Sequence, residues 1–151
     1  MNPLVIADSG RSAIGKTPAI KAVYFLLKAK GYKLLDELWQ YVPGADIRAI
    51  FNVNGVKVGV ESQGDPGCEM ESTMVFFVES GCEIIVTACR TKGSTYDKVK
   101  DYLGRDNGFD ILWLTHIIYY GEKADEVRAK FNKKYAQYVV RLIEERIVGV
   151  L

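Results

Sequence analysis

Residues 10–17 of the chain read Gly10-Arg11-Ser12-Ala13-Ile14-Gly15-Lys16-Thr17. The two glycines of this stretch are separated by four residues, and a lysine and a threonine directly follow the second glycine. A chance match to this spacing in a chain of this length is on the order of 1%. The pattern is therefore specific, and the segments on either side of it indicate which structure it forms.

The flanking segments place this stretch between a strand and a helix. Residues 4–7, Leu-Val-Ile-Ala, form a short apolar run of the kind found in strands covered on both faces. Residues 16–30 are rich in Ala, Leu and Lys, carry Pro18 where the first turn of a helix tolerates it, and end before Gly31. The sequence therefore predicts a strand, a glycine-led turn and a helix in succession.

A glycine-led turn before a helix is suited to binding phosphate. Its backbone N–H groups can point into one concavity, where the helix N-terminus adds positive potential. Gly10 permits a sharp departure from the strand, and Gly15 permits close approach of the backbone to a phosphate. Lys16 can bridge β- and γ-phosphate oxygens, and the Thr17 hydroxyl can ligate Mg²⁺. We therefore expect this stretch to bind the phosphates of a nucleotide, through Gly10, Arg11, Ser12, Ala13, Ile14, Gly15, Lys16 and Thr17.

In this stretch the chain resembles the P-loop NTPase superfamily. The resemblance implies a three-layer α/β fold with a mostly parallel sheet, and chemistry on ATP or GTP with Mg²⁺ as cofactor. The order of predicted elements is compatible with that fold over residues 1–151. We expect one nucleotide-binding domain.

After the first helix the sequence predicts one antiparallel hairpin. Asn54-Gly55 is typical of a two-residue type I′ turn between strands. Pairing outward from this turn sets Val53 against Val56 and, farther along, Arg48 against Glu61. Residues 32–45, which precede the hairpin, fit a loop with helical character.

The remaining chain alternates helices and strands. We expect a helix over residues 69–80, a buried strand over 83–89, a capped helix from 94 to about 103 that Gly104 ends, and a strand over 109–119. A final helix over residues 122–147 presents an amphipathic face made of Val127, Phe131, Tyr135, Tyr138, Leu142 and Ile143. This alternation predicts an α/β sheet.

A phosphate site with Mg²⁺ needs an acidic residue at the end of a neighbouring strand. Glu61 ends the second hairpin strand, which makes it the first candidate for metal binding and for positioning water, and Asp65 is the second. The alternative for Glu61 is a cross-strand ion pair with Arg48, which the hairpin register places opposite it. Both interpretations stay open from the sequence.

The order of elements also looks like that of a Ras-type small GTPase. That family has an Asp-x-x-Gly turn after the hairpin, where this chain has Glu61-Ser62-Gln63-Gly64. The glutamine that positions water in the family follows the glycine, whereas Gln63 precedes it. No Asn-Lys-x-Asp motif follows the last strand, where the chain reads Leu-Thr-His-Ile-Ile at residues 114–118. ATP is therefore favoured over GTP.

Basic and aromatic side chains follow other strands of the predicted sheet. Ligands bind at the carboxyl ends of strands in open α/β sheets, which places Arg90 and Lys92 near the phosphates. Arg90 can contact a γ-phosphate or an acceptor phosphate, or it can belong to a solvated basic loop. His116, on the same edge, fits a structural role, and Trp39, Tyr41, Tyr119 and Tyr120 fit packing or stacking on a base.

Composition excludes several classes of protein. The chain has 20 Lys and Arg against 19 Asp and Glu, so a broad electrostatic grip on nucleic acid is not expected. Three cysteines without a C-x-x-C pair suit a reducing compartment. The first residues lack the charge and apolar length of a signal peptide, and no apolar run is long enough to span a membrane. We expect a cytoplasmic protein.

These features predict a magnesium-dependent nucleotide-binding protein. Lys16, Glu61, Asp65 and Arg90 are the candidate catalytic residues, and Thr17 with Glu61 are the candidate metal ligands. The protein would hydrolyse the nucleotide or, as in small kinases, transfer its phosphoryl group to a small acceptor held by Arg90, Lys92 and Arg105. The alternatives are a weakly hydrolysing switch read by a protein partner, and a P-loop domain that has lost nucleotide binding.

Overall fold

The computed structural model describes residues 1–10, 16–40, 46–62, 70–89, 97 and 99–151. Within these residues the chain forms six strands and four helices. In chain order they are β1 (Leu4–Ser9), α1 (Lys16–Ala29), β2 (Lys33–Gln40), β3 (Asp46–Val53), β4 (Val56–Glu61), α2 (Met70–Glu79), β5 (Ile84–Cys89), α3 (Val99–Asp106), β6 (Asp110–Thr115) and α4 (Ala124–Ile147). Helix α3 has the wider turns of a π-helix.

All six strands lie in one mixed sheet, in the order β2-β3-β4-β5-β1-β6. Strand β1 is parallel to both its neighbours, β5 and β6, and β4 is parallel to β5. The two remaining pairings, β2 with β3 and β3 with β4, are antiparallel. Four strands therefore share one direction, and their carboxyl ends lie along the same edge.

Helices cover both faces of the sheet, which gives three layers. Successive side chains of a strand point to opposite faces. In β1, accordingly, Leu4 and Ile6 pack with α1 and α4, whereas Val5 and Ala7 pack with α2 and α3. None of the helices in the described part of the chain combines the length and the apolar composition that crossing a membrane requires.

The predicted hairpin is confirmed in its turn and in its register. Asn54 and Gly55 both have positive φ, 52° and 90°, as a type I′ turn requires. The pairing runs from Val53 opposite Val56 to Arg48 opposite Glu61. The strand at β5 and the helices at α1, α2 and α4 are confirmed as well.

The prediction for residues 32–45 is wrong where the structure describes them. Residues 33–40 form the edge strand β2 rather than a loop with helical character, so β3 pairs on both sides. Its pairing shifts between Leu34 and Asp36, and this irregularity breaks the two-residue alternation that would have revealed a strand. Residues 41–45 lie outside the described residues.

Three further expectations need correction. Gly104 does not end a helix, because α3 continues to Asp106. A Cβ at Gly104 would lie 2.9 Å from the terminal methyl of Ile111, so this glycine allows close packing on β6. Strand β6 ends at Thr115 rather than at residue 119. Tyr138 is 54% exposed, and the buried face of α4 is formed instead by Ala136, Val139, Val140, Leu142 and Ile143.

Replacing Gly59 tests the packing of α2 on the sheet. A Cβ at Gly59 would lie 2.7–2.9 Å from three ring carbons of Phe77. We expect Gly59→Ala to lower the free energy of unfolding by about 1–3 kcal/mol in urea titrations, because a well-packed interior does not absorb an added methyl group. Gly104→Ala is the control, since an added Cβ there would meet only the end of the Ile111 side chain, which can rotate away. Equal losses in the two variants would contradict this account.

Candidate functional site

The polar residues of interest lie at the carboxyl edge of the parallel strands. Strands β1, β4, β5 and β6 all end there, and α1 begins there. Strand β3 runs the other way, so its first residue, Asp46, starts at this same edge. Ligand sites of open α/β sheets form in this position because the connecting loops and helix N-termini converge there.

The structure describes part of the predicted phosphate-binding stretch. Gly10 follows β1 directly and donates its N–H to the carbonyl of Cys89, 3.1 Å away. Lys16 and Thr17 are the first two residues of α1. The described residues therefore agree with a strand before the stretch and a helix after it. Several predicted site residues lie outside the described residues, namely Arg11, Ser12, Ala13, Ile14, Gly15, Asp65, Arg90 and Lys92.

Thr17 meets two residues of the hairpin at this edge. Its hydroxyl oxygen lies 3.4 Å from Oδ1 of Asp46 and 3.3 Å from the carbonyl oxygen of Ser62. Ser62 fixes the carboxylate, because its hydroxyl donates to Asp46 Oδ1 at 2.9 Å and accepts from the backbone N–H of Ile47 at 2.9 Å. Three oxygen-bearing groups from α1, β3 and the end of β4 therefore converge.

The oxygens of Thr17, Asp46 and Ser62 are of the kind that binds a small cation. Hydroxyl hydrogen bonds are usually about 2.7–2.8 Å long, so both Thr17 contacts are long ones. Mg²⁺ binds oxygens at about 2.0–2.1 Å in octahedral geometry, which separates neighbouring ligands by about 2.9 Å and opposite ones by about 4.1 Å. The 3.4 Å between Thr17 Oγ1 and Asp46 Oδ1 lies between these two separations, so the two oxygens would have to shift by about 0.5 Å to become neighbouring ligands. Carboxylate and hydroxyl oxygens are also the donors that Mg²⁺ prefers.

Glu61 is a buried acid at the end of β4. It is 1% exposed and lies opposite Thr87 of β5 in the parallel register. Arg48 lies opposite it on β3, but the ion pair that Arg48 makes within the described chain is with Asp36, at 3.6 Å. The Arg48 guanidinium also stacks 3.9 Å from the ring centre of Phe76. Within the described residues, no three His, Cys, Asp or Glu side chains converge as a metal-binding group.

A second polar group lies between β1 and β6. Asp8 is fully buried, and its Oδ2 lies 3.0 Å from Nδ1 of His116, whose side chain is 6% exposed. The backbone ties the two strands together there, because the N–H of His116 donates to the carbonyl of Ser9 at 3.1 Å. Burial and the neighbouring Asp8 carboxylate raise the pKa of the Tyr135 hydroxyl well above its ordinary value. In this group, therefore, the buried carboxylate of Asp8 lies beside the imidazole of His116 and the neutral phenol of Tyr135.

His116 also lines two adjoining cavities between the end of β6, the first turn of α1 and helix α4. The first has a volume of about 420 Å³, and the second about 260 Å³. Pro18 contributes to the first, and Phe131 and Asn132 line both. The larger volume lies within the range of about 300–1,000 Å³ that is common for small-molecule sites.

The aromatic candidates separate into two groups. Tyr119 and Tyr120 line the larger cavity, beside His116. Trp39 lies at the far edge of the sheet on β2, where its ring is 5.4 Å from that of Tyr24. Tyr41 lies outside the described residues. The two tyrosines are therefore the ones that can stack on a ligand at the β6 end of the site.

Two acids of this site, Asp46 and Asp8, were not predicted from the sequence. The predicted hairpin register pairs Arg48 with Glu61. Extended by two residues, the same register brings Asp46 to the carboxyl edge, so the position of this acid could have been predicted. Asp8 follows an apolar run directly, and a charge at that point of a buried strand requires a partner. The sequence gives no direct indication that the partner is His116, which lies 108 residues away.

No protein-family model matches this chain, and no curated protein matches its sequence. The features of this chain that bear on its function are the residue pattern at positions 10–17 and the geometry of the carboxyl edge.

Removing His116 tests the energetic coupling of the buried pair. We expect His116→Ala to lower the free energy of unfolding by about 1–3 kcal/mol at pH 7, because Asp8 loses a hydrogen-bond donor without regaining water. The double variant Asp8→Asn/His116→Ala should be more stable than His116→Ala, because it buries no charge. Urea titrations measure both differences. A double variant less stable than the single one would contradict the coupling.

Proposed function

We propose that this chain is a P-loop domain that binds a nucleoside triphosphate, ATP in preference to GTP, together with Mg²⁺. It then hydrolyses the nucleotide or transfers its phosphoryl group to a small acceptor. The observation that carries the proposal is the contact of Thr17 with Asp46 and Ser62 at the carboxyl edge. Thr17 is the residue of the stretch whose hydroxyl is expected at the metal, and an oriented carboxylate lies beside it.

Each part of the stretch has a defined task in this proposal. The backbone N–H groups of residues 10–17 and the Lys16 ammonium hold the phosphates, and the N-terminus of α1 adds positive potential. Thr17 and Asp46 would hold the metal, which would neutralise charge on the phosphates. Glu61, with Asp65 as the second candidate, orients the attacking water or contributes to the metal site. Arg90 contacts the γ-phosphate or the acceptor.

The first test is the contribution of Lys16. We expect Lys16→Ala to weaken binding of Mg-ATP about 10- to 100-fold in calorimetry, because hydrogen bonds to charged groups contribute about 1.5–3 kcal/mol. Its free energy of unfolding should fall by less than its free energy of binding, because the proposal assigns Lys16 to the phosphates rather than to the core. Lys21→Ala, farther along α1, is the matched control and should bind normally. Absence of Mg-ATP and Mg-GTP binding in the wild-type protein would refute the proposal.

The second test concerns the metal. The affinity for ATP is measured with Mg²⁺ and again with a chelator, and the ratio gives the gain that the metal provides. We expect Asp46→Asn to lose most of that gain while keeping the metal-free affinity, because an amide oxygen carries no charge for the cation. Asp36→Asn, on the neighbouring strand β2, is the matched control. A full metal-dependent gain in Asp46→Asn would exclude Asp46 as a ligand.

A further inference from the structure

Ser62 lies one residue beyond the last strand pair of the β3–β4 hairpin. Along an antiparallel ladder, pairs that exchange two backbone hydrogen bonds alternate with pairs that exchange none. An exchanging pair closes a two-residue turn, here Val53 with Val56, so the alternation makes Ile47 and Ser62 an exchanging pair as well. One of their two expected bonds is present, because the Ser62 N–H donates to the Ile47 carbonyl at 3.1 Å.

A side chain takes the place of the backbone in the second bond. Within the described residues, the Ile47 N–H donates to the hydroxyl oxygen of Ser62 at 2.9 Å, where the ladder would use the Ser62 carbonyl. That carbonyl oxygen accepts from the hydroxyl of Thr17, with 3.3 Å between the two oxygens. The Ser62 hydroxyl therefore replaces its own carbonyl in the hairpin, and the carbonyl oxygen turns toward the start of α1.

Acceptors outnumber donors where these groups meet. The Thr17 hydroxyl has one hydrogen, yet the Ser62 carbonyl oxygen at 3.3 Å and Asp46 Oδ1 at 3.4 Å both lie near it. One hydrogen does not point at both, and both distances exceed the usual length of about 2.7–2.8 Å for a hydroxyl hydrogen bond. A carboxylate, a carbonyl and a hydroxyl oxygen therefore converge on a space that a cation would fill more favourably than this one hydrogen does.

The chemistry of the three oxygens matches a hard divalent cation. Carboxylate and carbonyl oxygens are typical ligands of Mg²⁺, Mn²⁺ and Ca²⁺ in proteins. Ser62 is 1% exposed, so its carbonyl oxygen is shielded from bulk water. A six-coordinate ion that takes three oxygens from the protein keeps three positions for phosphate oxygens and water. This ligand set suits a metal ion that arrives with a triphosphate.

We propose that the carbonyl oxygen of Ser62 is a third protein ligand of the metal, beside Thr17 and Asp46. The Ser62 hydroxyl is the positioning group that makes this possible. It takes the Ile47 N–H from the carbonyl, and it donates to Asp46 Oδ1 at 2.9 Å, which orients the carboxylate. The inference rests on the proposed function, because it concerns the metal of the same site.

Replacement of Ser62 tests the positioning role. Calorimetry on the whole chain measures the affinity for ATP with Mg²⁺ and with a chelator, and the ratio is the gain that the metal provides. We expect Ser62→Ala to lose at least about tenfold of this gain, because its carbonyl returns to the Ile47 N–H and Asp46 loses a charge-assisted hydrogen bond. The metal-free affinity should stay within about twofold of the wild type. An undiminished gain in Ser62→Ala would overturn the inference.

Two further variants separate the hydroxyl of Ser62 from the general effect of changing a buried serine. Ser62→Thr keeps the hydroxyl and should keep the gain within about threefold. Ser9→Ala removes a buried hydroxyl at the same edge, one that donates to the Leu114 carbonyl at 3.1 Å, and should keep the wild-type gain. A loss in either variant as large as that in Ser62→Ala would contradict the positioning role.

The carbonyl ligand is tested with Mn²⁺, which takes the same kinds of ligand as Mg²⁺. The protein is produced with ¹³C at the carbonyl carbon of serine, and electron–nuclear double resonance of its Mn-ATP complex detects ¹³C close to the ion. A ligating carbonyl places its carbon about 3 Å from the metal. We expect a strong ¹³C coupling in the wild type that is absent from Ser62→Thr, whose residue 62 carries no label. Identical spectra would overturn the assignment of the carbonyl.

The outcomes separate this inference from the function on which it rests. If Mg²⁺ gives the wild-type protein no gain in ATP affinity, the proposed metal-dependent site itself fails. If the gain is present, and Asp46→Asn loses it while Ser62→Ala keeps it, the role of Ser62 alone is refuted.

Discussion

Strand β1 runs parallel to both of its neighbours, β5 and β6, and this alignment determines where the polar residues meet. Because these strands and β4 share one direction, their last residues meet at a single edge, and the helix that follows β1 begins there. The antiparallel β3 adds its first residue to the same edge. Asp46, Ser62 and Thr17 come from three different elements, and only this alignment brings their oxygens within 3.4 Å.

The buried carboxylate of Asp8 divides the edge into two chemically different ends. A fully desolvated charge on an interior strand such as β1 is costly unless partners are provided, and the chain provides His116, which follows the neighbouring strand β6. On the β4 side the edge carries the Thr17 hydroxyl and the Asp46 carboxylate. On the β6 side it carries the His116 imidazole and two tyrosines, which line a cavity of about 420 Å³.

Local chemistry explains how far the sequence could predict this arrangement. The hairpin followed from Asn54-Gly55, because that dipeptide fixes both the turn and the register, and the strand–turn–helix around residues 10–17 followed from apolar runs and glycine spacing. Strand β2 was missed because an edge strand with a shifted pairing has no clean alternation. The pairing of Asp8 with His116 depends on tertiary contact between β1 and β6, which no local pattern encodes. The roles of Asp65, Arg90 and Lys92 stay predictions, because these residues lie outside the described residues.

The two tryptophans give the molecule a natural pair of optical probes. Trp39 lies opposite Ile47, the residue next to Asp46, in the β2–β3 register. Trp113 lies on β6, opposite Ala7 of β1. The first is 40% exposed and the second is half-buried, so their emission maxima should differ. Replacement of either tryptophan by phenylalanine would leave a single emitter, at the end that keeps its indole. The intrinsic fluorescence of this protein can therefore follow the two halves of the edge separately, without any attached dye.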